Sequence, residues 1–226
     1  MIFLDQYFHR RSVTSEQMDF LWEEGWRHFG VEFFRYSVAY HRGSLFSVMP
    51  LRIALDRFQP SSSQKRVLAR NRDARVIIRD TFIDKAKDEL FYRHRERFTD
   101  NIPGSLYSFL SSHPAEVPCR NREICVYLGD KLIAVSFLDI GSTATSGLYA
   151  MFDPPESKRS LGIFTILEAI RYSRELDCRY YYPGYAYREP SVYDYKKNFS
   201  GLEYLDWQAG WKPYSEAMLT EEPAVD

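Results

Sequence analysis

"FDPPESKRSLGIFTILEAIRYSRELDCRYYYPGYAYREPSVYDYKKNF", residues 152–199, holds the pattern that decides the fold. A strand-like stretch ends at Asp153, and Pro154 with Pro155 turns the chain. From Ser160 onward Ile163, Ile166, Leu167 and Ile170 recur at helical spacing, so 160–176 reads as a helix with a broad apolar stripe. "CRYYYPGY" (178–185) has the aromatic content of a strand. Strand, helix and strand in that order return a parallel strand to one sheet. Arg159, Ser160 and Gly162 then stand at the helix mouth. Unpaired backbone N–H groups and the positive end of the helix dipole attract anions there. Gly162 removes a side chain where a ligand would approach, and Arg159 supplies charge.

Working outward, "EICVYLGDKLIAVSFLDIG" (123–141) reads as a hairpin turning at Gly129 and Asp130, and "SGLYAMFD" (146–153) as the next strand. From residue 122 the order is strand, strand, strand, helix, strand, helix, strand. Upstream, a helix is expected over 15–29, with Ser15 as N-cap and Met18, Leu21 and Trp22 on one face. "VEFFRYSVAY" and "SLFSVMPLRIAL" read as strands joined at "HRG". "PSSSQKRVLARN" (60–71) reads as a capped helix, "ARVIIRD" as a strand, and 84–97 and 105–112 as helices. The expected class is α+β with mixed α/β sheets. The layout from 122 onward resembles the acyltransferase fold of the Gcn5-related (GNAT) type. Residues 1–110 would be a degenerate second copy carrying a basic segment, 111–215 the catalytic half, and 216–226 an acidic flexible tail.

Composition limits the function classes. The 226 residues suffice for one large domain or two small ones. No apolar run reaches 18 residues, and the apolar residues of "MIFLDQYFHRR" precede its charges, the reverse of a secretion signal. The expectation is a cytoplasmic protein without a membrane or DNA partner. Three cysteines, Cys119, Cys125 and Cys178, form neither a disulfide framework nor a paired metal motif, so reduced thiols and no metal are expected. Net charge is −1, but residues 52–79 carry eight Lys/Arg against two Asp. That local basic block suits a polyanion such as RNA. Within it, Arg66 and Arg70 share a helix face at i, i+4, an arrangement made tolerable by an anion between them.

The wider string is similar to a known family. "LYAMFDPPESKRSLGIFTILEAIRYSRELDCRYYYPGY" followed by "YKKNFSGLE" resembles the C-terminal region of aminoacyl-tRNA–protein transferases, the arginyl- and leucyltransferases of the N-degron pathway. The matching segments are Phe152-Asp153-Pro154, Arg159 to Gly162, Tyr181 to Tyr185, and Tyr195-Lys196 to Glu203. "GWRHFG", "FFR", "PLRI" and "FQPSSSQKRVLARN" resemble the family's N-terminal segments. One stretch departs from it: where the family carries a cysteine cluster, this chain has "YSVAYHRGSLFSVM" without cysteine. Thiolate-bound metals and iron–sulfur clusters need those cysteines, and His41 alone reads as a turn residue.

The resemblance implies attack by an amine on the ester linking an amino acid to tRNA. The co-substrate would be aminoacyl-tRNA, with no other cofactor, and the acceptor a protein or peptide with a free amine. Catalysis would then need a base for the ammonium and donors for the oxyanion and leaving ribose. Asp153 is the candidate base or amine-orienting carboxylate, with Tyr149 and Tyr185 as donors or proton relays. Gln64, Lys65, Arg66, Arg70, Asn71, Arg159, Ser160, Gly162, Tyr195 and Lys196 are candidate substrate-binding residues. Two further readings of the same residues are an acetyl-CoA-dependent N-acyltransferase and a non-catalytic RNA- or peptide-binding relative. Phe164 stands where a coenzyme A-binding turn has a second small residue.

Overall fold

The structure, a computed structural model, describes residues 3–41, 43–99 and 102–219. Its strands are β1 (Asp5–His9), β2 (Arg27–Phe29), β3 (Glu32–Tyr36), β4 (Val38–His41), β5 (Ser44–Ala54), β6 (Arg75–Asp80), β7 (Asn121–Leu128), β8 (Lys131–Ile140), β9 (Ala144–Phe152), β10 (Tyr180–Tyr187), β11 (Leu202–Asp206) and β12 (Gly210–Pro213). Its α-helices are α1 (Ser15–Glu23), α2 (Ser62–Arg70), α3 (Lys85–Arg95) and α4 (Leu161–Glu175).

Most strands join one mixed sheet in the order β12-β11-β5-β10-β9-β8-β7-β6, with β4 folded back on β5. All its neighbours are antiparallel except β10 and β9, the pair that α4 connects. The sheet is continuous across the chain, since β5 lies between β10 and β11 while β6 borders β7. A second, three-stranded sheet, β1-β3-β2, packs with α1 on the start of β9 and β10 through Met18, Trp22, Phe33, Ala144 and Tyr182.

Period-2 alternation sends the apolar side chains of the large sheet to both faces. Ile124 and Val126 join the core under α4 and α2, whereas Cys125 between them joins Leu90 and Phe91 of α3 on the opposite face. A layer of helix on each face covers a sheet whose central strands are buried on both sides. Among the described residues, no helix is long and apolar enough to cross a membrane.

Several expected elements differ. α1 ends at Glu23 rather than running to 29, and its N-cap is Thr14, which forms a capping box with Gln17. Gly25 adopts φ +80, and any Cβ there would meet Leu205 and Trp207 at 2.8 Å. That left-handed turn breaks the helix, and the following residues pair with β3 instead. The helix expected over 105–112 is only a 3₁₀ turn, Leu106–Ser108, and a 3₁₀ turn, Asp194–Lys197, stands where a second helix was expected between β10 and β11. Of the expected tail, Glu216–Leu219 forms another such turn, and 220–226 lie outside the described residues.

Candidate functional site

The chain approaches α4 through a 3₁₀ turn, Pro154–Arg159, and then through Ser160 in the left-handed region at φ 55, ψ 45. A left-handed non-glycine residue costs energy and recurs at ligand sites. Ser160 therefore supplies no side-chain cap, and among the described residues the N–H groups of Leu161 and Gly162 donate no hydrogen bond. A Cβ on Gly162 would meet nothing within 4 Å. Packing does not require that glycine; it leaves the mouth open. Phe164 is 4% exposed and belongs to the core, so its bulk is accommodated by packing.

α2 lies beside this mouth. Arg70 Nη1 donates to Lys158 O at 2.6 Å and to Ser160 Oγ at 3.4 Å, and Asn71 Nδ2 donates to Arg159 O at 2.9 Å. Arg159 is itself engaged: it chelates Asp73 at 2.9 and 3.0 Å and donates to Glu156 at 3.1 Å. It shapes the turn, and its charge is already met. Lys65 and Arg66 are exposed and make no ion pair among the described residues. Gln64 is buried, closes a capping box with Ser61, and donates to Asn198 O at 3.0 Å. That bond ties α2 to the turn carrying Tyr195 and Lys196.

A second group of residues lies where β9 and β10 part. Their parallel ladder covers only Tyr180 to Tyr182 against Ala144 to Ser146. Beyond it a register shift follows Tyr181 in β10, ending at Gly184 (φ +95), and β9 has its own irregularity between Gly147 and Tyr149. The strands diverge toward the end of the sheet at which α4 begins. In open α/β sheets, ligands bind at the carboxyl ends of parallel strands where neighbours separate.

Arg27 of β2 enters this gap and donates to Ser146 Oγ and to Gly147 O. Lys196 Nζ donates to Tyr185 O at 3.0 Å. Burial, and then the charge of Arg27, pulls the Lys196 ammonium down to about 7. Tyr181 is buried, and its Oη lies 2.6 Å from where a Cβ on Gly147 would stand. Burial raises the phenol of Tyr181, so it remains a donor, and Tyr195 beside it is 40% exposed.

Of the three residues expected to be catalytic, Asp153 and Tyr149 lie away from this gap, and Tyr185 borders it through its carbonyl. Asp153 is 1% exposed, and its oxygens accept from Arg93 Nε at 2.9 Å and pair with Lys131 Nζ at 2.6 Å. Burial pushes its carboxyl up, but the Lys131 and Arg93 bonds outweigh this and hold it below the ordinary range. Bonded to two cations, this carboxylate is a weaker base than a free one. Tyr149 packs on the α3 side, stacked on Phe109 at 3.9 Å, and its buried hydroxyl has no partner among the described residues. Tyr185 donates its hydroxyl to Gly25 O at 2.6 Å and so braces the small sheet.

His28, Cys119 and Asp139 bring donor atoms within 4.8 Å of one another, all buried. His28 Nε2 and Asp139 Oδ2 are already bonded at 2.9 Å, Asn121 Nδ2 donates to Asp139 Oδ1 at 2.7 Å, and burial raises the Cys119 thiol. These groups satisfy one another as a hydrogen-bonded core cluster.

Arg27, Gly147, Tyr181 and Gly184 lie at this gap and were not among the candidates picked from the sequence. "GWRHFG" and "YYYPGY" were the available signals. A parallel pair that splays at a helix mouth, with cations and hydroxyls in the gap, suits group transfer from an anionic donor. The chain belongs to the arginine-tRNA-protein transferase family, whose C-terminal model matches residues 83–206. Relatives include the aspartate/glutamate leucyltransferase of Leptospira interrogans, 29% identical over 198 residues (85% of this chain, 76% of that one). That of Xanthomonas axonopodis is 32% identical over 170 residues, covering 70% and 66%. Among solved structures, L-PGS from Bacillus licheniformis overlays with a TM-score of 0.44 at 11% identity, covering 82% of this chain and 53% of that one.

Proposed function

We propose that this chain transfers an amino acid, leucine or arginine, from charged tRNA to the α-amine of a protein or peptide acceptor. The names of the relatives favour leucine as the group moved and an acceptor beginning with aspartate or glutamate. The observation that carries the reading is the splay of β9 and β10 at the end where α4 opens, with Arg27, Tyr181 and Lys196 in the gap. The tRNA 3′ end would lie over the α4 mouth, its phosphates met by the free amides, Lys65 and Arg66, while Arg70, Asn71 and Arg159 hold the turn.

In the reaction the acceptor nitrogen attacks the ester carbonyl, the C–N bond forms, and the C–O bond to ribose breaks. The ammonium proton goes to solvent, and the ribose oxygen leaves as a hydroxyl. Tyr181 and Tyr195 would donate to the oxyanion and to the leaving oxygen. The strand–helix–strand unit of β9, α4 and β10 supports a GNAT-like reading of the large sheet, which also takes β5 and β6 from residues 1–110.

The test incubates the purified protein with a pool of charged tRNAs and peptides bearing free N-termini. Label should move to the peptide, RNase should abolish it, and acetyl-CoA should produce no thermal shift. Acetylation of an amine without tRNA would overturn the reading in favour of a coenzyme A-dependent acyltransferase.

A further inference from the structure

We infer that Arg27 and Lys196 together form the receptor for the carboxylate side chain of the acceptor's first residue, and so set acceptor specificity. This rests on the reading of the chain as a tRNA-dependent aminoacyltransferase. The two cations converge over one glycine: a Cβ on Gly184 would lie 3.3 Å from Lys196 Nζ and 3.7 Å from Arg27 Nη2. Gly184 also holds φ +95, so the position disfavours a side chain on two counts.

Among the described residues neither cation meets a carboxylate. Arg27 donates to a hydroxyl and a carbonyl, and Lys196 to a carbonyl. Asp139, whose charge reaches Arg27, is already bonded to His28 and Asn121. Two neighbouring cations in a partly buried gap repel each other strongly, and an anion between them removes that cost. Donors remain for it: an ammonium has three and a guanidinium five, and the protein uses one and two of these.

A side chain suits this position better than a tRNA phosphate. Tyr181 beside the two cations is buried, and the Tyr193 ring lies 5.0 Å from Lys196 Nζ. A side-chain carboxylate presents both oxygens from one end, whereas a backbone phosphate carries a ribose on either side. Lys65, Arg66 and the α4 mouth already present solvent-facing positions for phosphate.

The experiment compares two peptides that differ only at the N-terminal residue, Asp or Asn, titrated calorimetrically into the protein without tRNA. Wild type should prefer the Asp peptide by about tenfold or more, as expected for a charge-assisted bond. Lys196→Met should bring the ratio near one, and Lys196→Arg should retain part of it. In wild type alone the ratio should also fall as pH rises above 7 and Lys196 loses its charge. The Asp carboxylate raises the α-amine of its own peptide above that of the Asn peptide, so each free amine is titrated separately and its contribution subtracted.

Equal binding of the two peptides by wild type overturns the proposal. So does a ratio that survives Lys196→Met. Weakened tRNA binding in Lys196→Met with an unchanged ratio would give the pair to the tRNA and overturn it as well. If no charged tRNA supports transfer while the Asp preference still follows Lys196, the functional reading fails and the receptor stands.

Discussion

Replacing Gly162 by alanine separates a structural from a ligand-binding role at the α4 mouth. Gly162 is the second residue of α4, its φ lies outside the left-handed region, and an added Cβ meets nothing within 4 Å. The methyl therefore fits without strain. Alanine in place of glycine stabilises a helix by about 0.5–1 kcal/mol. For a domain of this size that raises the melting temperature by roughly 1–4 °C. A phosphate resting on the amides of Leu161 and Gly162 would be pushed away by the same methyl. Losing one charge-assisted hydrogen bond costs about 1.5–3 kcal/mol, a fall of roughly tenfold or more in kcat/KM for charged tRNA. The assay pairs differential scanning fluorimetry with transfer rates at limiting tRNA. Higher melting temperature with slower transfer is the expected result. A melting temperature that rises while kcat/KM stays within about twofold would refute the reasoning, because nothing would then approach Gly162.

Other perturbations bear on the rest of the account. Lys65→Ala with Arg66→Ala should weaken tRNA binding and reduce the slope of log affinity against log salt by about 1–2, since both are exposed and unpaired; a raised acceptor KM with unchanged tRNA affinity would move them to the acceptor site. Asp153→Asn should lower stability by about 1–2 kcal/mol, near the lower end for a buried acid because Lys131 and Arg93 are half exposed. The carboxyl of Asp153 is held below its unfolded value, so its stabilisation is full above the ordinary carboxylate range and is lost as pH falls toward the folded value. The gap between wild-type and variant denaturant midpoints should therefore shrink below about pH 4, and abolished transfer in a well-folded Asp153→Asn variant would return Asp153 to the chemistry. A chelator should leave the melting temperature unchanged, because His28 and Asp139 bond each other and Asn121, and the Cys119 thiol is held protonated; elemental analysis finding one tightly bound zinc or iron per chain would contradict this.

Local patterns carried the fold further than they carried the site. α4 and the β7–β8 hairpin were legible because each needs only its own periodicity and turn residues, and α2 because a Ser-x-x-Gln capping box is a local device. α1 was overrun because "EEGWRHFG" lacks an unambiguous stop; the break comes from Gly25, whose backbone conformation is set by Leu205 and Trp207 far along the chain. The α4 mouth was found from one contiguous stretch. The gap between β9 and β10 was not, since it joins Arg27 of the N-terminal region to Ser146, Gly184 and Lys196. Which tyrosine faces the gap was not legible in the sequence, for a specific reason. The irregularity between Tyr181 and Gly184 breaks strand alternation, so sequence position no longer tells which ring faces the gap. Tyr185 turned out to brace Gly25, and Tyr181 to face Gly147.

The central claim is that an amide forms between the tRNA-borne amino acid and the acceptor's α-amine. Mass spectrometry of an Asp-initiated peptide, incubated with the protein and either leucyl- or arginyl-tRNA, tests it directly. The peptide should gain one amino-acid residue at the N-terminus, from one of the two tRNAs, and none when its α-amine is acetylated. An unmodified free-amine peptide with both tRNAs, or an equal addition to the blocked peptide, would contradict it.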